Sequence, residues 1–245
     1  MTSANSQPLV ITVDGERKVS GLLQVPSGAR ACYVFAHGAG AGMAHPFMAA
    51  VAQGLSERGI ATLRYQFPFM EQGSKRPDAP GLAQLTVRAA VSEAARLMPK
   101  LALFAGGKSF GGRMTSQAQA ASALAGVRGL VFLGFPLHPV GKPSVDRAMH
   151  LFNISIPMLF LQGTLDDLAD LALLQPLVQR LGAGATLELV EEADHSFHVP
   201  ARTGRKDFEI RNRMLDATAH WVDMVLRIGG GTFSGSALNP ARVSA

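Results

Sequence analysis

Cysteine is almost absent from this chain of 245 residues, since Cys32 is the only one, which excludes an internal disulfide and any metal site built from cysteines. No apolar run approaches the ~20 residues that a membrane-spanning helix needs. Residues 1–7 also lack the apolar stretch of a signal peptide. We therefore expect a cytoplasmic protein with no membrane partner, in which Cys32 is a small core residue.

Charged residues make up only 17% of the chain, and the net charge of +5 is scattered along it. The densest basic stretch, residues 202–213, also contains Asp207 and Glu209 and lacks an interleaved platform of aromatic residues. This pattern indicates a solvated helix face, so we expect no nucleic-acid partner. Hydrophobic residues account for 47% of the chain, which is enough for one sizeable core.

Short apolar runs alternate with longer helical patterns, which predicts an α/β fold with a mostly parallel central sheet and helices on both faces. An opening hairpin is expected around Asp14-Gly15, from residues 9–13 and 19–25. The other expected strands are residues 32–36, 60–65, 101–105, 127–134, 158–162 and 185–190, and the expected helices are residues 45–58, 82–98, 109–124, 168–181 and 208–228. We expect one domain over residues 1–228 and a flexible tail over residues 229–245.

The motif G-x-S-x-G occurs at Gly107-Lys108-Ser109-Phe110-Gly111. With 26 glycines in the chain the pattern arises easily by chance, but here an expected strand precedes it and an expected helix follows it. This context is typical of a nucleophile at a sharp strand-to-helix turn, where side chains two positions before and after the serine would collide. Ser109 is therefore the candidate nucleophile.

A serine nucleophile needs a base and a group that orients the base, in the chain order serine, acid, histidine on this type of fold. His195 follows the last expected strand, and we favour it over His198 because it is closer to the strand end. Asp166 and Asp167 follow the strand before it. We favour Asp166 as the acid, since Asp167 would point elsewhere on the turn and suits the N-cap of the next helix.

An acyl-transfer site also needs N–H groups that face the developing oxyanion. The N–H of Phe110, directly after the nucleophile, is one candidate. The second is the N–H of Ala39, in the small-residue loop His37-Gly38-Ala39-Gly40-Ala41-Gly42 after the strand that contains Cys32. His37 is interpreted as a support for this loop rather than a catalyst.

Together these segments resemble the α/β-hydrolase superfamily over about residues 9–228. They are most similar to the Tex30/KANL3-type branch, which is often labelled dienelactone-hydrolase-like. The segments that carry the closer resemblance are Phe35-Ala36-His37-Gly38-Ala39-Gly40, Arg64-Tyr65-Gln66-Phe67-Pro68, Gly106-Gly107-Lys108-Ser109-Phe110-Gly111-Gly112-Arg113 and Gln162-Gly163-Thr164-Leu165-Asp166.

The resemblance implies the hydrolase fold without a large cap, since only about twenty residues separate Phe135 from Pro157. Dienelactone hydrolases proper use a cysteine nucleophile where this chain has Ser109, so lactone specificity is not carried over. We expect a serine hydrolase whose partner is a small-molecule ester or thioester, with no cofactor and no metal. The alternative is a non-catalytic hydrolase-like protein-interaction module, as in some relatives within larger eukaryotic assemblies.

Loop residues near the expected site are candidates for a small apolar pocket. These are Met43, Phe67 and Leu137, with Phe69 beside them. Packing roles fit the same residues equally well, so both interpretations stay open. The sequence predicts neither the acyl length nor the oligomeric state.

Overall fold

The computed structural model describes residues 5–228, so the expected tail over residues 229–245 lies outside the described residues. Within that range, eight strands form one sheet. The strands are β1 (Gln7–Thr12), β2 (Lys18–Gln24), β3 (Ala31–Ala36), β4 (Ile60–Tyr65), β5 (Ala102–Lys108), β6 (Val127–Leu133), β7 (Met158–Gly163) and β8 (Ala185–Val190). The helices are α1 (Pro46–Glu57), α2 (Pro68–Glu71), α3 (Pro80–Leu97), α4 (Phe110–Ala121), α5 (Leu171–Leu181) and α6 (Asp207–Ile228).

The strands lie in the order β1-β2-β4-β3-β5-β6-β7-β8. Only the pairs β1–β2 and β2–β4 are antiparallel; the other neighbours are parallel. Every residue of β3, β4 and β7 is buried, as expected for strands covered on both faces, and β3 is a nearly continuous apolar run. The predicted mostly parallel sheet is confirmed.

Helices cover both faces of the sheet and enclose two cores. Residues of α1 and α6, such as Val51 and Trp221, pack on one face. Residues of α3, α4 and α5, such as Val87 and Met114, pack on the other. Cys32 is fully buried in this second core, and burial raises the pKa of its thiol to about 12, which agrees with the expected packing role.

Two short helical segments are not among the expected helices. Helix α2 begins directly after Phe67, between β4 and α3. The connection from β6 to β7 contains a 3-10 helix, Asp146–Asn153, and no cap domain within the described residues. Helix α5 begins at Leu171 rather than at residue 168. Such short or irregular turns carry too few residues to show a hydrophobic period.

The parallel strands place three loops at one edge of the sheet. Ser109 directly follows β5, the loop after β7 contains Asp166, and the loop after β8 contains His195. Since β8 pairs with β7, and β6 lies between β7 and β5, the three carboxyl ends face the same side. This edge is where ligand sites form in open α/β sheets.

Candidate active site

Ser109 occupies a strained turn between β5 and α4, with φ 51° and ψ −116°. This is a left-handed region that residues with a side chain rarely adopt. The flanking glycines make the turn possible: a Cβ on Gly107 would overlap the carbonyl oxygen of Ala36, and one on Gly111 would overlap that of His37. The expected steric reason for the two motif glycines is confirmed. The turn leaves Ser109 half-buried at the N-terminus of α4.

His195 lies within hydrogen-bond distance of the serine, with 2.8 Å between its Nε2 and Ser109 Oγ. A tight turn after β8 brings it there. Asp194 Oδ1 accepts hydrogen bonds from the backbone N–H groups of Ser196 (2.7 Å) and His198 (2.9 Å), which closes this turn around His195. The side chain of His195 is 22% exposed, so the ring is partly open to solvent.

Asp166 lies on the other side of the imidazole, with 2.7 Å between its Oδ2 and His195 Nδ1. Its side chain has no exposed surface. The amide of Gln162 also donates to Oδ2, and the backbone N–H of Leu168 donates to Oδ1 at 2.9 Å. Three donors therefore surround this carboxylate and hold it against the ring.

The two alternatives considered for these positions lie elsewhere. Asp167 is exposed, and the N-cap suggested for it is instead Asp170, whose carboxylate accepts from the N–H of Ala172 at 2.9 Å. His198 is exposed and pairs with Asp207 at 2.9 Å. Neither side chain has a hydrogen bond to Ser109 or His195 within the described residues.

The two candidate oxyanion donors flank the serine. Phe110 is the first residue of α4, so its N–H has no partner within the helix, as for the first residues of any α-helix. The loop with Ala39 passes close by, since a Cβ on Gly38 would lie 3.8 Å from Ser109 Cβ. No group within residues 5–228 accepts a hydrogen bond from the N–H of Ala39.

His37 supports this loop, as expected. It is fully buried, and burial lowers the pKa of its imidazole to about 4, so the ring is neutral at pH 7. Its Nε2 accepts a hydrogen bond from the N–H of Phe67 at 3.0 Å, and its Nδ1 lies 2.7 Å from the carbonyl oxygen of Gly38. A ring with its proton on Nδ1 satisfies both contacts, so His37 joins the β3 and β4 loops.

The candidate pocket residues differ in their accessibility. Phe67 and Leu137 have no exposed surface and belong to the core, while Met43 is half-buried. Phe67 packs edge-to-face against the rings of His37 (5.0 Å between centroids) and Phe110 (5.3 Å). Their full burial favours packing roles for Phe67 and Leu137.

Lys108, inside the motif itself, has a contact that its position in the sequence does not reveal. Its Nζ donates to the carbonyl oxygen of His195 at 2.6 Å and lies 5.5 Å from the ring centroid of Phe197. Burial lowers the pKa of this ammonium to about 8, although the carboxylates of Asp166 and Asp194 favour its charged form. Lys108 thus joins the serine turn to the histidine loop and is a positioning residue.

For the ester hydrolysis that the sequence leads us to expect, the substitution Lys108→Met should lower kcat by about 10-fold with little change in KM, since a charge-assisted hydrogen bond to the histidine loop is lost. Below pH 8 the ammonium keeps its proton; above it, the proton and the charge leave together. The kcat of the wild type should therefore fall as the pH rises through about 8, and this fall should be missing from the pH profile of Lys108→Met. Lys142→Met, at an exposed lysine, is the matched control. Identical pH profiles of kcat for Lys108→Met and the wild type would contradict the positioning role of Lys108.

Within residues 5–228, no helix combines the length and hydropathy needed to cross a bilayer. Nor do any three of their histidine, cysteine, aspartate or glutamate side chains cluster in a way that suits a metal ion.

Comparison with known proteins extends this picture. The model of a family described as an alpha/beta hydrolase domain matches residues 29–223. A dienelactone hydrolase from Anabaena variabilis superimposes with a TM-score of 0.73 at 22% identity, covering 91% of this chain and 99% of the other. A lidless α/β serine hydrolase from Xanthomonas campestris gives 0.67 at 20% identity, covering 88% and 94%. An esterase domain from Rhodothermus marinus gives 0.69 at 14% identity, covering 90% and 98%.

Proposed function

Because this chain belongs to the family of alpha/beta hydrolase domains, we propose that it is a serine hydrolase that cleaves carboxylic esters or thioesters through an acyl-enzyme. The observation that carries the proposal is the continuous chain of short contacts from Ser109 Oγ through His195 to Asp166, at 2.8 and 2.7 Å. A hydroxyl at neutral pH is a weak nucleophile, and such a chain is the arrangement that activates it.

In the first half of the reaction, Ser109 Oγ attacks the carbonyl carbon while its proton passes to His195 Nε2. The electron pair of the C=O bond moves onto the oxygen and gives a tetrahedral intermediate. That intermediate collapses when the alcohol or thiol leaves with the proton from Nε2. The second half repeats these steps with water as the nucleophile, and it releases the acid and free Ser109.

Asp166 acts on the imidazole in both halves. With the proton on Nδ1, His195 donates to the carboxylate and presents the lone pair of Nε2 to the serine. When Nε2 takes the serine proton, the buried carboxylate stabilises the imidazolium. Gln162 and the N–H of Leu168 fix the carboxylate, so the ring has one favoured orientation.

The N–H groups of Phe110 and Ala39 are the proposed oxyanion donors. Both lie beside Ser109 and lack a partner in the structure described above. The N-terminus of α4 adds the positive end of a helix dipole at the same point. Donors that are already oriented stabilise the developing negative charge without reorganisation during the reaction.

Within the family, we place the chain with the Tex30/KANL3-type branch on the motif segments quoted above. The described residues contain no cap over Ser109. This openness supports a shallow site for short acyl groups.

Labelling with a fluorophosphonate tests the proposal directly, because this reagent forms a covalent adduct only with an activated serine. Intact-mass and peptide analysis is expected to show one adduct, on Ser109, in the folded protein. Ser122→Ala, at an exposed serine at the end of the same helix, should label like the wild type. Folded wild-type protein that takes up no label would overturn the proposal and leave the non-catalytic interaction module as the better reading.

A further inference from the structure

Helix α4 and the 3-10 helix Asp146–Asn153 face each other through two pairs of side chains. In the first pair, Ser116 Oγ lies 2.8 Å from His150 Nε2. Arg113 and Arg147 each lie three residues earlier, one turn closer to the N-terminus of its own helix. Positions i and i+3 share a helix face, so the two arginines form a second pair on the same side. Burial lowers the pKa of Arg113, and the charge of Arg147 lowers it further, which agrees with this pairing.

The arginine pair lies at the serine end of α4. The N–H of Arg113 donates to the carbonyl oxygen of Ser109 at 3.1 Å, so Arg113 lies about one turn after the serine. Side chains on a helix lean toward its N-terminus and cover the preceding turn. The side chain of Arg113 therefore extends toward the turn that holds Ser109.

The charge of this pair is uncompensated within residues 5–228. Neither Arg113 nor Arg147 has an ion pair or a side-chain hydrogen bond there, and Arg113 Nε is buried without a partner. Burial and the charge of Arg113 lower the pKa of His150 to about 4, so this ring is neutral at pH 7. By contrast, Arg30 pairs with Asp223. An unpaired, half-buried guanidinium costs free energy of folding, and an anion bound between two adjacent ones would offset that cost.

We propose that Arg113 and Arg147 bind an anionic group, a carboxylate or a phosphate, on the substrate that Ser109 cleaves. The planar guanidinium donates two parallel hydrogen bonds to either group, which gives orientation as well as attraction. The preferred substrates are then esters or thioesters with a negative charge a few bonds from the scissile carbonyl. This inference rests on the proposed function, and it narrows the substrate class.

A matched pair of esters tests the inference: the 4-nitrophenyl monoester of glutaric acid, which is anionic, and the same ester with its free carboxylate methylated. The wild type is expected to favour the anionic ester in kcat/KM. The ratio of the two values should fall about 10- to 100-fold in Arg113→Gln and in Arg147→Gln, because each loses a charge-assisted hydrogen bond. Arg147 lies outside α4, so its variant gives an answer even where Arg113→Gln folds poorly.

Arg128→Gln is the matched control, since Arg128 is exposed and the charge change is the same. It should keep the wild-type ratio. Free glutarate and inorganic phosphate, tested as inhibitors of the neutral ester, distinguish the two anions: stronger inhibition by one identifies the group that the site takes. An unchanged ratio in both arginine variants, with no inhibition by either anion, would overturn the inference.

Binding to the Ser109→Ala protein separates this inference from the proposed function. Calorimetry is expected to detect glutarate or phosphate, and the added Arg113→Gln substitution should abolish the signal. An anion that binds to a protein without any fluorophosphonate adduct would leave the arginine site standing while the hydrolase proposal fails. An adduct on Ser109 without anion binding and without a preference for the anionic ester would support the hydrolase proposal and overturn the arginine site.

Discussion

The Ser109→Ala variant is expected to hydrolyse aryl esters about 10⁴- to 10⁶-fold more slowly than the wild type, with the loss almost entirely in kcat. Alanine removes the only atom that forms the acyl-enzyme bond. His195 and the two backbone N–H groups stay in place and leave a residual activity above that of water. Steady-state kinetics on short 4-nitrophenyl esters measure this loss.

The size of the loss needs a control for trace contaminants and for misfolding. Ser122→Ala should keep full activity, since Ser122 is exposed and lies at the far end of α4. The Ser109→Ala substitution removes only one hydroxyl group and so few packing contacts. Thermal melts of the two variants should therefore be similar. Equal background rates from Ser109→Ala and the wild type would instead point to a hydrolase-like interaction module.

The Asp166→Asn variant is expected to lower kcat by about 10⁴-fold, as loss of the orienting carboxylate lets the imidazole adopt the wrong tautomer. Three donors converge on this carboxylate, from His195, Gln162 and the N–H of Leu168. An amide has one acceptor oxygen, so any rotation of the asparagine puts its NH₂ group against a donor. That conflict should also destabilise the fold by about 1–3 kcal/mol.

The adjacent Asp167→Asn variant is a control of unusual precision, because it makes the same chemical change one residue away at an exposed carboxylate. It should retain wild-type kcat and melting temperature. The two variants are compared by steady-state kinetics and by thermal unfolding at pH 7. If Asp167→Asn lost activity and Asp166→Asn kept it, the acid would have been assigned to the wrong aspartate.

Several parts of the site follow from local patterns. The glycines at 107 and 111, the serine between them and the strand before it form a continuous motif, and the strand alternation predicts where the later loops lie. The buried Gln162 also stands out in the sequence, because it is a polar residue near the end of the otherwise apolar strand β7. A fully buried amide needs hydrogen-bond partners, so the sequence predicts a polar neighbour for Gln162 in the loop that follows β7.

Other parts depend on contacts between distant residues. Nothing in the order of residues indicates that Lys108 reaches the carbonyl of His195, 87 positions later, or that Ser116 meets His150. The 3-10 helix that carries Arg147 has no repeating apolar pattern long enough to predict. Phe67 also reads equally well as pocket or core until its neighbours are known.

The sequence by itself determined the α/β architecture, the chain order of Ser109, Asp166 and His195, and the small residues around Ser109. These features depend on hydrophobic period and on steric limits within a few residues, which a linear pattern records. Only the tertiary structure showed that His195 rather than His198 contacts Ser109, and that Asp166 rather than Asp167 contacts His195, because adjacent or near-adjacent residues in a turn differ in the direction of their side chains. It also showed that Arg113 Nε is buried without a partner, since charge compensation depends on what lies nearby in space and not along the chain.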